Sequence, residues 1–132
     1  MMSPGADGPA TAEAARETIE GYFSAIYKGD TDSLGELFSP TATLVGWDEG
    51  ELKAVPRDRW LEFVGRIPSP RSQGEPLDSE ILDLDIFGTA AVAKVREYYR
   101  NFQYVEFLAL LWTGDRWQIM HKCYHQFAGG SG

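Results

Sequence analysis

The stretch Tyr104–His125, YVEFLALLWTGDRWQIMHKCYH, decides the fold. Two apolar runs of strand length flank a short polar break, and Gly114 and Asp115 are suited to a two-residue hairpin turn. Such a turn pairs Leu111 with Gln118, Ala109 with Met120, Phe107 with Lys122 and Val105 with Tyr124. Side chains alternate across a strand, so one face carries Val105, Phe107, Ala109, Leu111, Gln118, Met120, Lys122 and Tyr124. The other carries Tyr104, Glu106, Leu108, Leu110, Trp112, Trp117, Ile119, His121, Cys123 and His125. A slip of one residue exchanges the two faces.

Upstream the same period of two persists. Leu82, Leu84 and Ile86 alternate with Asp83 and Asp85, and Ala90 to Tyr99 forms another strand, with Ala93, Val95, Glu97 and Tyr99 sharing a face. Before them, Ile67 to Asp78 holds three Pro, a Gly and two Ser and reads as a loop. From Thr11 to Lys28 the spacing of Ala15, Ile19, Tyr22, Phe23 and Ile26 gives one face of a helix, capped by Thr11 and stopped by Gly29. A short second helix starts at Asp30 or Asp32 and runs through Leu34, Leu37 and Phe38 to Pro40. Thr41–Trp47 and Glu51–Val55 form a hairpin around Asp48, Glu49 and Gly50, and a third helix runs from Pro56 to about Arg66. Helices followed by a meander give an α+β domain over residues 11–127, with residues 1–10 a disordered leader and 128–132 a flexible tail.

Composition narrows the function classes. The 132 residues are 43 % hydrophobic and 13 % aromatic, which suits one folded domain rather than a disordered chain. A net charge of −8 repels phosphate backbones and anionic lipid, so no nucleic acid and no membrane partner is expected. The lone Cys123 cannot form an internal disulfide and fits a cytoplasmic setting. His121, Cys123 and His125 alternate along one strand face; His125 stands about 13 Å from His121, so no metal is expected.

The segments Gly21–Asp30 (GYFSAIYKGD), Leu37, Phe38, Ala42–Val45, Gly88–Val95 and Gly114–Lys122 (GDRWQIMHK) resemble the nuclear transport factor 2-like superfamily. Within it the chain is most similar to the putative lumazine-binding group, beside the polyketide cyclase (SnoaL-like) and ketosteroid isomerase-like groups. The resemblance covers about residues 12–127 and implies a cone-shaped α+β barrel, with three helices on a strongly curved antiparallel sheet enclosing a pocket. It also implies a homodimer through the outer sheet face. Laid on the isomerase pattern, the face bearing Lys122 lines the pocket, and Tyr22 falls on the tyrosine that donates to the developing oxyanion. The isomerase base falls on Gly46 and its second donor on Phe107, which argues against steroid-type isomerisation.

Lys122 on an apolar face needs a carboxylate or an anionic ligand, and Glu97 is the natural partner. Asp48, two residues beyond Gly46, is either a turn residue or a base nearer the mouth. The expected catalytic set is therefore Tyr22, Asp48, Glu97 and Lys122. The expected ligand-binding set is Tyr22, Ile26, Trp47, Trp60, Phe63, Tyr99, Phe107, Met120, Lys122 and Tyr124. Three functions fit: a binder of a hydrophobic or aromatic small molecule, a cofactor-free cyclase, dehydratase or isomerase, and a dimerising interaction module. No cofactor is expected in any of them.

Overall fold

The computed structural model describes residues 11–127; the leader and tail expected at residues 1–10 and 128–132 lie outside the described residues. Helix α1 (Ala12–Lys28) opens with the Ala14 N–H donating to Thr11 Oγ1 at 3.1 Å and closes at Gly29, whose φ of 69° is left-handed. Its buried face is Ala15, Ile19, Tyr22, Phe23 and Ile26, following the helical period. In α2 (Thr31–Leu37), Asp30 accepts from the backbone N–H and the hydroxyl of Ser33. This helix ends one residue earlier than expected, and Phe38 and Pro40 belong to strand β1 (Phe38–Asp48). Ser39 precedes a proline and so avoids helical backbone, while the extended Phe38 packs its ring against Tyr22 and Trp60 at 5.4 and 4.8 Å.

The β1 strand turns at Glu49 and Gly50, both at positive φ, into β2 (Glu51–Pro56). Helix α3 (Arg57–Arg66) follows, then β3 (Ser79–Phe87), β4 (Ala90–Tyr99), β5 (Phe102–Trp112) and β6 (Trp117–Gln126). The sheet order is β2-β1-β6-β5-β4-β3. It departs from the expected antiparallel sheet at one junction: β1 and β6 run parallel, because the meander brings the last strand back beside the first. With β2 and β3 as edges the sheet curves without closing.

Bulges shape the faces. Leu111 pairs with Gln118 as expected, but Met120 bulges out between Ile119, opposite Leu110, and His121, opposite Ala109. Beyond it every partner shifts by one, placing Lys122 opposite Leu108 and Tyr124 opposite Glu106. The expected β5 face is inverted, because the register with β4 sets Tyr104 opposite Glu97 and Glu106 opposite Val95: Tyr104, Glu106, Leu108 and Leu110 are buried and Phe107 is half exposed outside. The bulge lets Trp117 and Ile119 on one side, and Lys122 and Tyr124 on the other, all face inward; Trp117 and Ile119 bury more apolar area than Gln118 and Met120 would. A second bulge leaves Leu82 exposed and turns Ile81 to the core beside Leu84 and Ile86. Ala15, Ile19, Leu110, Trp117 and Ile119 fill one end of the cone; the other stays open.

Candidate functional site

Between α1, α3 and the concave sheet lies a cavity of about 550 Å³. Its apolar walls come from Ile26 on α1, Trp60 and Phe63 on α3, Tyr99 on β4 and Tyr104 and Tyr124 on β5 and β6. Asp48, Glu49, Lys53, Arg59 and Arg100 add charged groups to its lining. Of the residues expected to bind a ligand, Ile26, Trp60, Phe63, Tyr99, Lys122 and Tyr124 line it, as do Asp48 and Glu97. Trp47 and Phe107 are corrections: both stand half exposed, Trp47 paired with Leu52 on the hairpin and Phe107 on the outer face set by the β4–β5 register. Met120 is a third, displaced from the cavity by its own bulge.

Four buried polar groups meet at one place. Lys122 Nζ donates to the Tyr22 hydroxyl at 2.8 Å and pairs with Glu106 Oε2 at 3.2 Å. The Tyr22 oxygen lies 2.7 Å from Glu106 Oε1 and 2.9 Å from Glu97 Oε2. The expected Lys122–Glu97 pair is corrected to Lys122–Glu106: the β4–β5 register sets Glu106 opposite Val95 on the inner face, and the Met120 bulge turns Lys122 to that same face. Glu106, expected on the outer face, is thus a correction too; a lone acid in an otherwise apolar strand is the signal that it needs a buried partner.

Proton counting fixes the charge state. A phenol donates one proton, so Tyr22 satisfies only one of two ionised carboxylates; the other contact requires a carboxyl that carries its own proton. Burial, then the charge of Glu106, pushes the Glu97 pKa well above the usual carboxylate range. Glu97 is thus the neutral acid, and Glu106 balances Lys122. Burial and both glutamates likewise raise the Tyr22 pKa, so the phenol stays protonated. The ammonium also faces the rings of Trp60, Tyr22 and Tyr124 at 5.1, 5.2 and 5.5 Å. Glu97 Oε1 is buried without a hydrogen-bond partner, on a side chain that lines the cavity.

Tyr22 itself is fully buried behind this group rather than in the cavity lining, with its hydroxyl already engaged. At the mouth, Asp48 stands 3.5 Å from the Tyr124 hydroxyl and 3.8 Å from Lys53. Burial, then Asp48, pushes the Tyr124 pKa up to about 12. Gly46 is dictated by packing: a Cβ there would collide with the Tyr124 carbonyl oxygen and come within 2.7 Å of its ring. On the outer face His121 Nδ1 lies 2.8 Å from Thr43 Oγ1 and Cys123 is exposed. No group of three His, Cys, Asp or Glu among the described residues is placed to hold a metal ion.

A family model described as "Putative lumazine-binding" matches residues 10–125. The aldolase FrzH of Cladobotryum sp. is 23 % identical over 117 residues, covering 87 % of this chain and 90 % of that protein. An NTF2-like protein of unknown function from Shewanella baltica OS155 superposes with a TM-score of 0.77 at 26 % identity, over 89 % of this chain and 94 % of its own. Another, from Silicibacter pomeroyi DSS-3, gives 0.74 at 24 % identity, over 87 % and 94 %.

Proposed function

The chain belongs to the "Putative lumazine-binding" family, and from that premise we propose that it binds a flat, largely apolar small molecule in the cavity at the wide end of the cone. The observation that carries this is the orphaned Glu97 Oε1. With the Glu97 proton directed to Tyr22, Oε1 is a buried acceptor awaiting an N–H or O–H from outside the chain. Trp60, Phe63, Tyr99 and Tyr124 supply apolar walls for a planar ring, and Lys122 sits beside the acceptor under the same walls. A heterocycle with an N–H edge, as in the lumazine of the family description, has the required donor. Tyr22 is a positioning residue here, holding Lys122 and both carboxyls in place.

Titration of the protein with lumazine and with N-phenyl-1-naphthylamine, followed by fluorescence, tests this reading. Saturable binding of either, weakened about tenfold by Trp60→Ala, is expected. Absence of saturable binding for both overturns it.

A second reading is favoured by the extra proton in the buried group, and by the aldolase name of the Cladobotryum relative. In it the chain is a cofactor-free enzyme that removes a proton next to a carbonyl. Asp48 acts as base at the mouth, and Glu97, its proton now on Oε1 rather than on the Tyr22 side, joins Lys122 in stabilising the enolate oxygen by hydrogen bonding. Exchange of the α-protons of 1-indanone in D₂O, accelerated by the protein and lost in Asp48→Asn and Lys122→Met, supports it; no acceleration removes it.

The homodimer through the outer sheet face stays part of the proposal, supported by the exposed Val92, Phe107 and Leu111. Light scattering giving a monomer overturns it. Cytoplasmic residence is likewise proposed, from the exposed thiol of Cys123. None of the described helices is long and apolar enough to cross a membrane.

A further inference from the structure

Four of the chain's 12 Lys and Arg residues line the cavity just described, beside the carboxyl groups of Asp48, Glu49, Glu97 and Glu106, in a protein of net charge −8. Two of the four are already engaged: Lys122 by Glu106 at 3.2 Å and Lys53 by Asp48 at 3.8 Å. Arg59 and Arg100 have no carboxylate within 4.0 Å among the described residues. Both line the cavity together with Phe63. The Arg100 guanidinium stands 5.4 Å over the Phe63 ring, and Arg59 lies one turn before Phe63 on the same face of α3.

The backbone under Arg100 is unusual. Arg100 and Asn101 form the two-residue turn between β4 and β5 with φ of 52° and 70°. Turns of this kind favour Asn, Asp or Gly in both places, and arginine is a poor choice at the first. The turn is tethered by the Asn101 N–H donating to Glu75 Oε1 and by the Tyr98 hydroxyl donating to Asn101 Oδ1. The held turn fixes the point from which the Arg100 side chain leaves the backbone, and the Phe63 ring beneath its guanidinium keeps it in the cavity lining.

We infer that the ligand is an anionic oxyacid, whose carboxylate, sulfonate or phosphate lies at the mouth between Arg59 and Arg100 while its apolar ring enters the cavity. Two planar guanidinium groups match oxyanion geometry and are less strongly hydrated than ammonium groups. The buried end of the cavity does not compete for the anion, because Glu106 already neutralises Lys122 there. The inference rests on the binding function proposed above and adds the charge and orientation of the ligand.

Two probes of one skeleton test it: 8-anilino-1-naphthalenesulfonate and N-phenyl-1-naphthylamine, which differ by the sulfonate. The wild-type protein is expected to prefer the sulfonate by about tenfold at low salt, with the preference shrinking as salt is raised. In an Arg59→Gln/Arg100→Asn variant the affinity ratio should fall towards one; Asn suits the turn, so the fold is kept. Trp60→Ala should weaken both probes, which places them in the cavity. Equal affinities in the wild type, or a preference that survives the double substitution, overturn the inference and leave the binding function standing. If neither probe binds while lumazine does, the inference is overturned and the binding function stands; if lumazine fails as well, the binding function falls and the inference with it.

Discussion

Lys122 Nζ and Glu106 Oε2 stand 3.2 Å apart, both nearly excluded from solvent, on adjacent strands beneath the cavity. Removing one partner leaves a buried charge with too few compensating groups, which costs roughly 3–5 kcal/mol. Urea denaturation of Glu106→Gln should show a loss of that order. Adding Lys122→Met to it should recover most of the loss, since an apolar chain of similar length needs no counter-charge. A single substitution costing under about 1 kcal/mol would mean that the ammonium reaches water.

Glu97 links stability to pH. Its folded pKa lies above the ordinary value of about 4.5, so the folded state holds a proton that the unfolded chain releases. The stability it contributes is complete below that value and is lost as pH rises from there towards the folded pKa, at about 1.4 kcal/mol per pH unit. Glu97→Gln keeps a donor and an acceptor but cannot titrate. The stability of this variant relative to the wild type should therefore increase as pH rises through this window, read from melts in parallel buffers. Parallel pH curves would place the proton elsewhere.

Gly46→Ala should destabilise the protein by roughly 3 kcal/mol, because the added carbon meets Tyr124 backbone that is fixed in the β1–β6 ladder. Thermal melting with near-ultraviolet dichroism checks both the loss and the expected disturbance of the Tyr124 ring. An unchanged melting temperature would show that the two strands separate easily.

Arg100→Asn should raise stability by about 1 kcal/mol, since asparagine tolerates the positive φ of 52° that arginine does not. Chemical denaturation of the single variant measures it. A loss of stability instead would show that the stacking of Arg100 on Phe63 outweighs the strain of the turn.

The amphipathic period of α1, the β1–β2 turn and the β5–β6 turn were all legible because local chemistry dictates them. Glu97 was placed correctly with Ala93, Val95 and Tyr99, whose alternation runs unbroken along β4. The inner face of β5 was not legible. Val105, Phe107, Ala109 and Leu111 are as apolar as Tyr104, Leu108 and Leu110, so hydrophobic alternation cannot choose between the two sets. The choice is made by the Arg100–Asn101 turn, which sets Tyr104 opposite Glu97 and Glu106 opposite Val95; the Met120 bulge, which has no signature of its own in the sequence, then turns Lys122 to that face. The turn exchanges Phe107 for Glu106 in the site, and the bulge makes Glu106 the partner of Lys122. Arg100 went unnoticed because its importance comes from a backbone conformation and from Phe63, some 37 positions earlier in the chain.

The parallel junction of β1 with β6 makes assembly a non-local event. The strand that carries Lys122 and Tyr124 emerges from the ribosome after every other strand, yet it occupies an interior place in the sheet. Until β6 inserts, β1 with β2 and the β3–β4–β5 meander are separate fragments, each with an unsatisfied edge. Closing such a long loop before any contact rewards it is slow, so folding should proceed in milliseconds to seconds rather than microseconds. The desolvation of the ammonium beside Glu106 coincides with that last step, which ties completion of the cavity floor to completion of the sheet.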